Sequence, residues 1–305
     1  MRTLCHRRQK NQMNKNEKIA LLIIGLFFLG QFAYWGGESA LPGRLSSVNQ
    51  SRIEIPVLEA EAAFVWDASL NKVIYEKNSR AKMPLASLAK IMTALAALES
   101  GVEKVTVGRE AVGEEGDTGL LVGENWNTDD LAAATLISSS NDGAATLSSS
   151  TANRGNFVIS MNELAARLGL AETNFSNETG LDVSENGGGA YGSAENIGRL
   201  LYYAITRYPE VFEVTAYQSL RTESLSRKKH VFENTNRVIG EIPGALASKT
   251  GYTDLASGNL AVAFNAGIMR PIIVVVMGSS ENGRFEDVKK LVSYAQAFLA
   301  KPPAS

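Results

Sequence analysis

The 305-residue chain contains one cysteine and two histidines, and that shortage narrows its chemistry before any motif is sought. Cys5 and His6 fall within the first six residues, so His230 is the only such side chain in the remainder. A single cysteine cannot build a disulfide framework. A zinc site takes three or four ligands, mostly His or Cys, and His230 has no companions for one. A histidine-centred triad would rest on His230 alone. No metal or other cofactor is expected, and proton chemistry, if there is any, is expected to run without histidine. His230 is left with no assigned role.

A strong charge of one sign is also missing, since the formal net charge is −2. It is unevenly spread. Arg2, Arg7, Arg8, Lys10, Lys15 and Lys18 against Glu17 give residues 1–18 a charge of +5, which leaves −7 on the rest. An acidic body with a basic tip excludes the basic face of a nucleic-acid binder, so no nucleic-acid partner is expected. Long apolar runs are absent but for Ile19–Trp35, IALLIIGLFFLGQFAYW. This uncharged run is long enough to span a bilayer, and the preceding cations hold that end in the cytoplasm. Tyr34 and Trp35 would sit at the far interface. The alternative is a removed signal peptide ending at Glu38-Ser39-Ala40, but Glu38 stands where a cleavage site needs a small residue. Either way the rest is exported. The expected organisation is a basic cytoplasmic tail (1–18), a single membrane-spanning anchor (19–35), a Gly-, Ser- and Pro-dotted linker (36–54) and one exported domain (55–300). Without cross-links its core must suffice, and about 250 residues can bury one.

Within that domain, Ala62–Asp67 and Lys72–Glu76 read as a hairpin around Ala68-Ser69-Leu70-Asn71. Pro84 opens a helix over Leu85–Glu99, and Gly101 ends it. Asp129-Asp130 caps the run LAAATLISSS, while Phe157–Leu168 and Ala194–Tyr203 carry helical periodicity. Strand character returns at Ala245–Lys249, Leu260–Phe264 and Pro271–Met277, with a turn at Asn265-Ala266-Gly267. Arg284–Leu299 closes the chain as an amphipathic helix. Two strands, a mainly helical insertion, three strands and a helix describe an α+β fold whose five-stranded sheet is completed by distant segments.

Three short motifs carry candidate chemistry. Ser87-Leu88-Ala89-Lys90 puts a hydroxyl and an amine on one face of a helix. A lysine that is desolvated or beside another cation sheds its proton more readily and can serve a nearby hydroxyl as base. Alone, the spacing fits a solvated helix face equally well. Ser138-Ser139-Ser140-Asn141 ends an apolar helix in a polar cluster able to pass protons or hold an amide; capping is the plainer use of such residues. Lys249-Thr250-Gly251 ends a strand with a cation, a hydroxyl and a residue that admits close backbone approach, or is simply an edge turn.

In this order, Ser-x-x-Lys, Ser-x-Asn and Lys-Thr-Gly form the set of penicillin-binding proteins and serine β-lactamases. The chain further resembles the D-alanyl-D-alanine carboxypeptidase family, the low-molecular-mass penicillin-binding proteins. The resemblance is carried by NKVIYEKN, PLASLAKIMTALAALE, SSSNDGAATL, MNELAARLGLAETNFSNETGLD, NTNRV, SKTGYTDLASGNLAVA and VVVMGSSENGRF, over residues 60–300. It implies a β-lactamase/DD-peptidase-like fold, with an antiparallel five-stranded sheet flanked by helices and an inserted mainly helical subdomain. It also implies removal of the terminal D-alanine from peptidoglycan stem peptides, covalent inhibition by β-lactam antibiotics, and a bacterial cytoplasmic membrane with the catalytic domain on its extracytoplasmic side. By resemblance Ser87 is the acylated nucleophile, Lys90 its base, and Ser139 a proton relay beside Asn141. Lys249 supplies charge, and Thr250 binds the substrate carboxylate next to Gly251. The backbone N–H groups of Ser87 and Tyr252 form an oxyanion hole, and Arg284 lies near the carboxylate subsite.

This sequence departs from the family at several points. Ala89 stands where Thr is frequent, and Ser138 and Ser140 blur the register of the second motif. Asn186-Gly187-Gly188-Gly189 reads as a flexible edge to the site. The family's frequent C-terminal β domain is expected to be absent. Three rivals stay open. A β-lactamase needs a carboxylate for the deacylating water; Glu178 and Glu185 lie in the corresponding stretch, but neither has the surrounding pattern of such a residue. A DD-endopeptidase or transpeptidase shares the motifs. A membrane-tethered peptidoglycan-binding protein would need neither Ser87 nor Lys90.

Overall fold

Pro271-Ile-Ile-Val-Val-Val-Met is apolar at consecutive positions, as a strand covered on both faces must be, and it lies at the centre of the fold. The computed structural model describes residues 53–301, apart from 114, 115, 117 and 152. The basic tip, the apolar run 19–35 and nearly all of the linker lie outside the described residues. Among the described residues, no helix is long and apolar enough to cross a membrane.

The hairpin β1 (Ala62–Asp67) and β2 (Lys72–Lys77) leads into helix α1 (Ala89–Glu99). Then follow α2 (Thr128–Ser138), α3 (Asn141–Leu147), α4 (Arg154–Arg167) and α5 (Ala194–Arg207), and after them β3 (Ala245–Thr253), β4 (Ser257–Asn265), β5 (Pro271–Ser279) and α6 (Gly283–Ala300). The five strands form one antiparallel sheet in the order β3-β4-β5-β1-β2. Strand alternation divides its side chains. Phe64, Trp66, Ala263, Ile273 and Val275 join the helical insertion, packing with Leu88, Ile91, Leu136 and Ile197. Val65, Val262, Phe264, Val274 and Val276 face the other way, onto Phe285, Val288, Leu291 and Val292 of α6. The sheet is the shared wall of two cores, and β3 is its open edge.

The elements depart most from the sequence reading at four places. Pro84 does not open the helix: Met83–Pro84 pairs as a short strand with Tyr191–Gly192, and Ala86–Leu88 forms a 3₁₀ turn before α1 starts at Ala89. The run 131–140 is broken at Ser139, whose φ of 59° ends α2 before α3 begins. Strand β3 runs on to Thr253, so Lys249-Thr250-Gly251 lies inside the strand. A ribbon of Ser219–Glu223 with Lys229–Glu233 went unseen, because its inward Phe232 is flanked by outward Val231 and Glu233 in a stretch dominated by charge.

The chain enters the domain across α6. Fully buried Asp287 accepts the N–H groups of Glu59 and Ala60 at 3.2 and 2.8 Å and the Ser279 hydroxyl at 3.0 Å. Removing this acceptor strands the buried Ala60 N–H and the Ser279 hydroxyl, and frees the Glu59 N–H at the surface. Asp287→Ala is expected to lower unfolding free energy by about 3 kcal/mol, read from urea midpoints; a loss below about 1 kcal/mol would show the entry segment held by packing alone.

Candidate active site

The nucleophile turn is built against steric resistance. Ala86 has φ 48°, a left-handed backbone conformation that costs a non-glycine residue about 1–3 kcal/mol. Two buried contacts hold it. Asn259, in the middle of β4, donates from Nδ2 to Pro84 O and Leu85 O at 3.0 and 3.1 Å, while its Oδ1 accepts Gly278 N–H. Gly180 (φ 80°) presses on the turn so closely that a Cβ there would lie 2.0 Å from Ala86 O. The turn presents Ser87 at the edge of α1 and leaves Ala89 buried and facing away.

Lys90 is fully buried. Its Nζ donates to Ser87 Oγ at 2.8 Å, to Asn141 Oδ1 at 2.6 Å and to Thr179 O at 2.7 Å. Thr93, one turn on, donates to Glu178 O at 2.6 Å and fixes the same loop. The three serines of the second cluster separate by function. Ser138 bonds back to Ala134 O, and Ser140 caps α3 through Gly143 N–H and meets the Thr118 hydroxyl at 2.6 Å. Only Ser139 among them faces the second lysine, Lys249 Nζ donating to its Oγ at 2.8 Å. Two Ser–Lys pairs thus look into one cleft, one from α1 and one from the edge strand.

Lys249 also donates to Thr250 O at 2.8 Å, and the Thr250 hydroxyl meets that of Thr235 at 2.6 Å. Burial, then the neighbouring Lys90 and Arg284 cations, push the Lys249 amine well below its ordinary 10.5. Gly251 permits the approach of strand to nucleophile, since a Cβ would come within 2.9 Å of Leu85 O and 3.2 Å of Ser87 N. Tyr252 is 46% exposed at the cleft mouth. Arg284, in the first turn of α6, donates to Gly251 O at 2.7 Å and lies 5.8 Å from the Tyr252 ring, with its Nε buried and unpartnered. All nine residues singled out from the sequence therefore gather around one cleft.

Other residues singled out from the sequence find their places. Asn186–Gly189 is not a loose edge: Ser184 and Gly187 pair through their backbones, and Gly189 O accepts from Ser176 and Asn177 N–H. The carboxylate of Glu178 is buried on Arg154, away from Ser87, and Glu185 faces solvent. His230 has a structural place, 2.7 Å from Glu124 and stacked on Phe232 beside Trp126. Sequence reasoning missed Asn259, Thr179, Thr93 and Thr235. An amide inside the apolar run SGNLAVAF was a signal for Asn259. Thr179 acts through its carbonyl, which no residue type announces.

The depressed Lys249 amine sets a pH dependence. Between its folded value and 10.5, the unfolded chain holds a proton that the folded one lacks, so stability rises with pH across that window. Below the window the buried ammonium is a cost. Lys249→Met is expected to flatten this rise, so that the native protein gains on the variant as the pH climbs toward 10.5. Urea midpoints measured over that range test it, and parallel curves would refute the assignment.

The comparisons with known proteins show the family. A family model for D-alanyl-D-alanine carboxypeptidase matches residues 49–281. The Bacillus subtilis protein named D-alanyl-D-alanine carboxypeptidase DacF is 31% identical over 287 residues, covering 91% of this chain and 70% of its own length. The Escherichia coli protein named D-alanyl-D-alanine carboxypeptidase DacA is 28% identical over 263 residues, covering 80% of this chain and 62% of its own. The chain thus spans roughly two thirds of these curated relatives. The crystal structure of penicillin-binding protein D2 from Listeria monocytogenes in its ampicillin-bound form matches with a TM-score of 0.68 at 31% identity, covering 79% of this chain and 98% of that one. The chain belongs to the D-alanyl-D-alanine carboxypeptidase family of serine peptidases.

Proposed function

We propose that the chain is a serine D-alanyl-D-alanine carboxypeptidase that trims the terminal D-alanine from peptidoglycan stem peptides through an acyl-enzyme on Ser87. The observation that carries it is the buried Lys90 amine, 2.8 Å from Ser87 Oγ and held by Asn141 and Thr179. A lysine beside a second buried amine sheds its proton more readily, and the neutral amine can then take the Ser87 proton.

Lys90 takes the Ser87 proton as Oγ attacks the carbonyl carbon of the penultimate D-alanine. The resulting oxyanion is held by the N–H groups of Ser87 and Tyr252, each worth about 3–4 kcal/mol in comparable sites. The C–N bond breaks when the leaving amine receives a proton, relayed from Lys90 through Ser139, and free D-alanine departs. Water then attacks the ester carbon, the C–Oγ bond breaks, and Ser87 regains its proton. Lys249 supplies positive potential, Thr250 the hydroxyl for the substrate's terminal carboxylate, and Arg284 further positive charge beside Gly251. A β-lactam, which carries an acylating carbonyl and a carboxylate, is expected to enter the same place; the Listeria relative is known in an ampicillin-bound form.

Labelled penicillin is expected to acylate the native protein at Ser87 and not the Ser87→Ala variant, and a stem pentapeptide is expected to release D-alanine. An intact, folded protein that forms no adduct would overturn the mechanism. Rapid penicillin turnover would instead favour a β-lactamase.

The reading includes a tether: the uncharged run Ile19–Trp35 behind six basic residues holds the chain in a bacterial cytoplasmic membrane with the catalytic domain outside. The full-length protein is expected to resist extraction from membranes by alkaline carbonate and to keep its N-terminal mass. Release as a chain shortened to about residue 40 would identify a cleaved signal instead.

A further inference from the structure

From the clasp that crosses one end of the cleft we infer that Asp182 is a positioning residue that sets acyl-donor specificity, an inference that rests on the carboxypeptidase reading above. Asp182 Oδ1 accepts the Thr253 hydroxyl at 3.1 Å, and Oδ2 accepts Leu255 N–H at 3.3 Å. Thr253 Oγ1 in turn accepts Ala256 N–H at 3.1 Å, so the same contact shapes the turn between β3 and β4. One carboxylate therefore joins two separate walls of the cleft, seventy-odd residues apart in sequence.

Each wall is fixed on its own side. Asn177 Oδ1 accepts Gly180 N–H at 2.7 Å, and its Nδ2 donates to Leu181 O at 2.9 Å. Those bonds hold the segment whose Thr179 O takes the Lys90 amine and whose Gly180 presses on the nucleophile turn. Opposite it is the end of β3, two residues past Gly251. Neither Lys90 nor Lys249 touches Asp182. Both catalytic pairs are anchored by buried elements elsewhere, Ser87 through Asn259 and Lys249 within the sheet. Opening the clasp therefore moves the rim and leaves the reacting groups in place.

The direction of the substrate follows from the proposed roles. With its terminal carboxylate at Thr250 and its scissile carbonyl at the Tyr252 N–H, the residues preceding the cleaved bond extend past Tyr252 toward Thr253. They reach the clasp. Exposed side chains stand next to it in both segments, Val183 (60% exposed) beside Asp182 and Tyr252 beside Thr253. A long acyl donor rests on this rim, whereas a compact one ends before it.

The test compares a stem pentapeptide with N-acetyl-D-alanyl-D-alanine in the native protein, Asp182→Ala, Thr253→Val and the double variant, with penicillin labelling of Ser87 as a check on the site. For the pentapeptide, each single variant is expected to raise KM about tenfold with kcat little changed. The double variant should be no worse than either single one, because both remove one interaction. Asp182→Asn, which keeps an acceptor for Thr253 and loses the one for Leu255, should recover part of the loss. The compact donor and the labelling rate should stay within about twofold. Equal losses for both donors, additive losses in the double variant, lost labelling or an unchanged pentapeptide KM would each overturn the inference. A native protein that neither labels nor releases D-alanine overturns the carboxypeptidase reading itself, which separates the two failures.

Discussion

Two amines buried a few residues' width apart in one cleft are the condition to which the rest of this molecule answers. An ammonium taken out of water is costly, and a second beside it more so. The protein offsets that cost with acceptors: Asn141 and Thr179 at Lys90, Ser139 and Thr250 O at Lys249. In each pair a serine hydroxyl lies at the same 2.8 Å from the amine. A lysine that has lost its proton easily can accept one from a hydroxyl, which is the service histidine gives elsewhere. The scarcity of histidine and the burial of lysine are two sides of one design, and His230, tied to Glu124 in an aromatic cluster, stands outside it.

Such a cleft needs walls that do not move, and the sheet provides one of them by being covered on both faces. Residues of one parity along β4 and β5 lock into the helical insertion, and residues of the other parity into α6. A strand so held can carry a buried polar residue without shifting, and Asn259 uses this rigidity to grip the carbonyls before Ser87. The strained Ala86 persists for the same reason: Gly180 fills the space above it and the sheet supports it from below. Strain at the nucleophile is thus maintained by packing some distance from the chemistry.

How much of this was legible depended on the kind of signal. The all-apolar strand at 271–277, the hairpin at 62–76 and the amphipathic α6 follow from periodicity, because burial on a face selects residue type directly. The motif residues were legible as a set, since order and spacing reinforced one another. What stayed hidden was of two kinds. Interruptions of helix by single residues in left-handed conformation, at Ala86 and Ser139, carry no glycine to mark them; they are imposed by tertiary contacts that override propensity. Interactions made by backbone carbonyls, above all Thr179 O on Lys90, leave no imprint on side-chain identity. Asp182 belongs between these cases: its type was visible, but its partner Thr253 lay beyond the point where β3 was expected to end.

The loop that supports Lys90 also bears on what becomes of the acyl-enzyme. Glu178 and Thr179 are adjacent, yet they serve opposite ends of the structure. The buried Glu178 carboxylate pairs with the exposed Arg154, its carbonyl takes the Thr93 hydroxyl, and Thr179 presents a carbonyl to the amine. A carbonyl can orient an amine, but it cannot take a proton from water. Class A β-lactamases, which share these motifs and turn over penicillin rapidly, place a carboxylate where the deacylating water sits. Here Glu178 is engaged with Arg154 and Asp182 with Thr253 and Leu255, and the groups left facing the ester are the two Ser–Lys pairs. A peptide acyl group, whose leaving D-alanine diffuses away and makes room for water, can still be released by that set. A β-lactam keeps its leaving group attached and in place, so the same geometry that completes a turnover on peptide leaves the antibiotic bound.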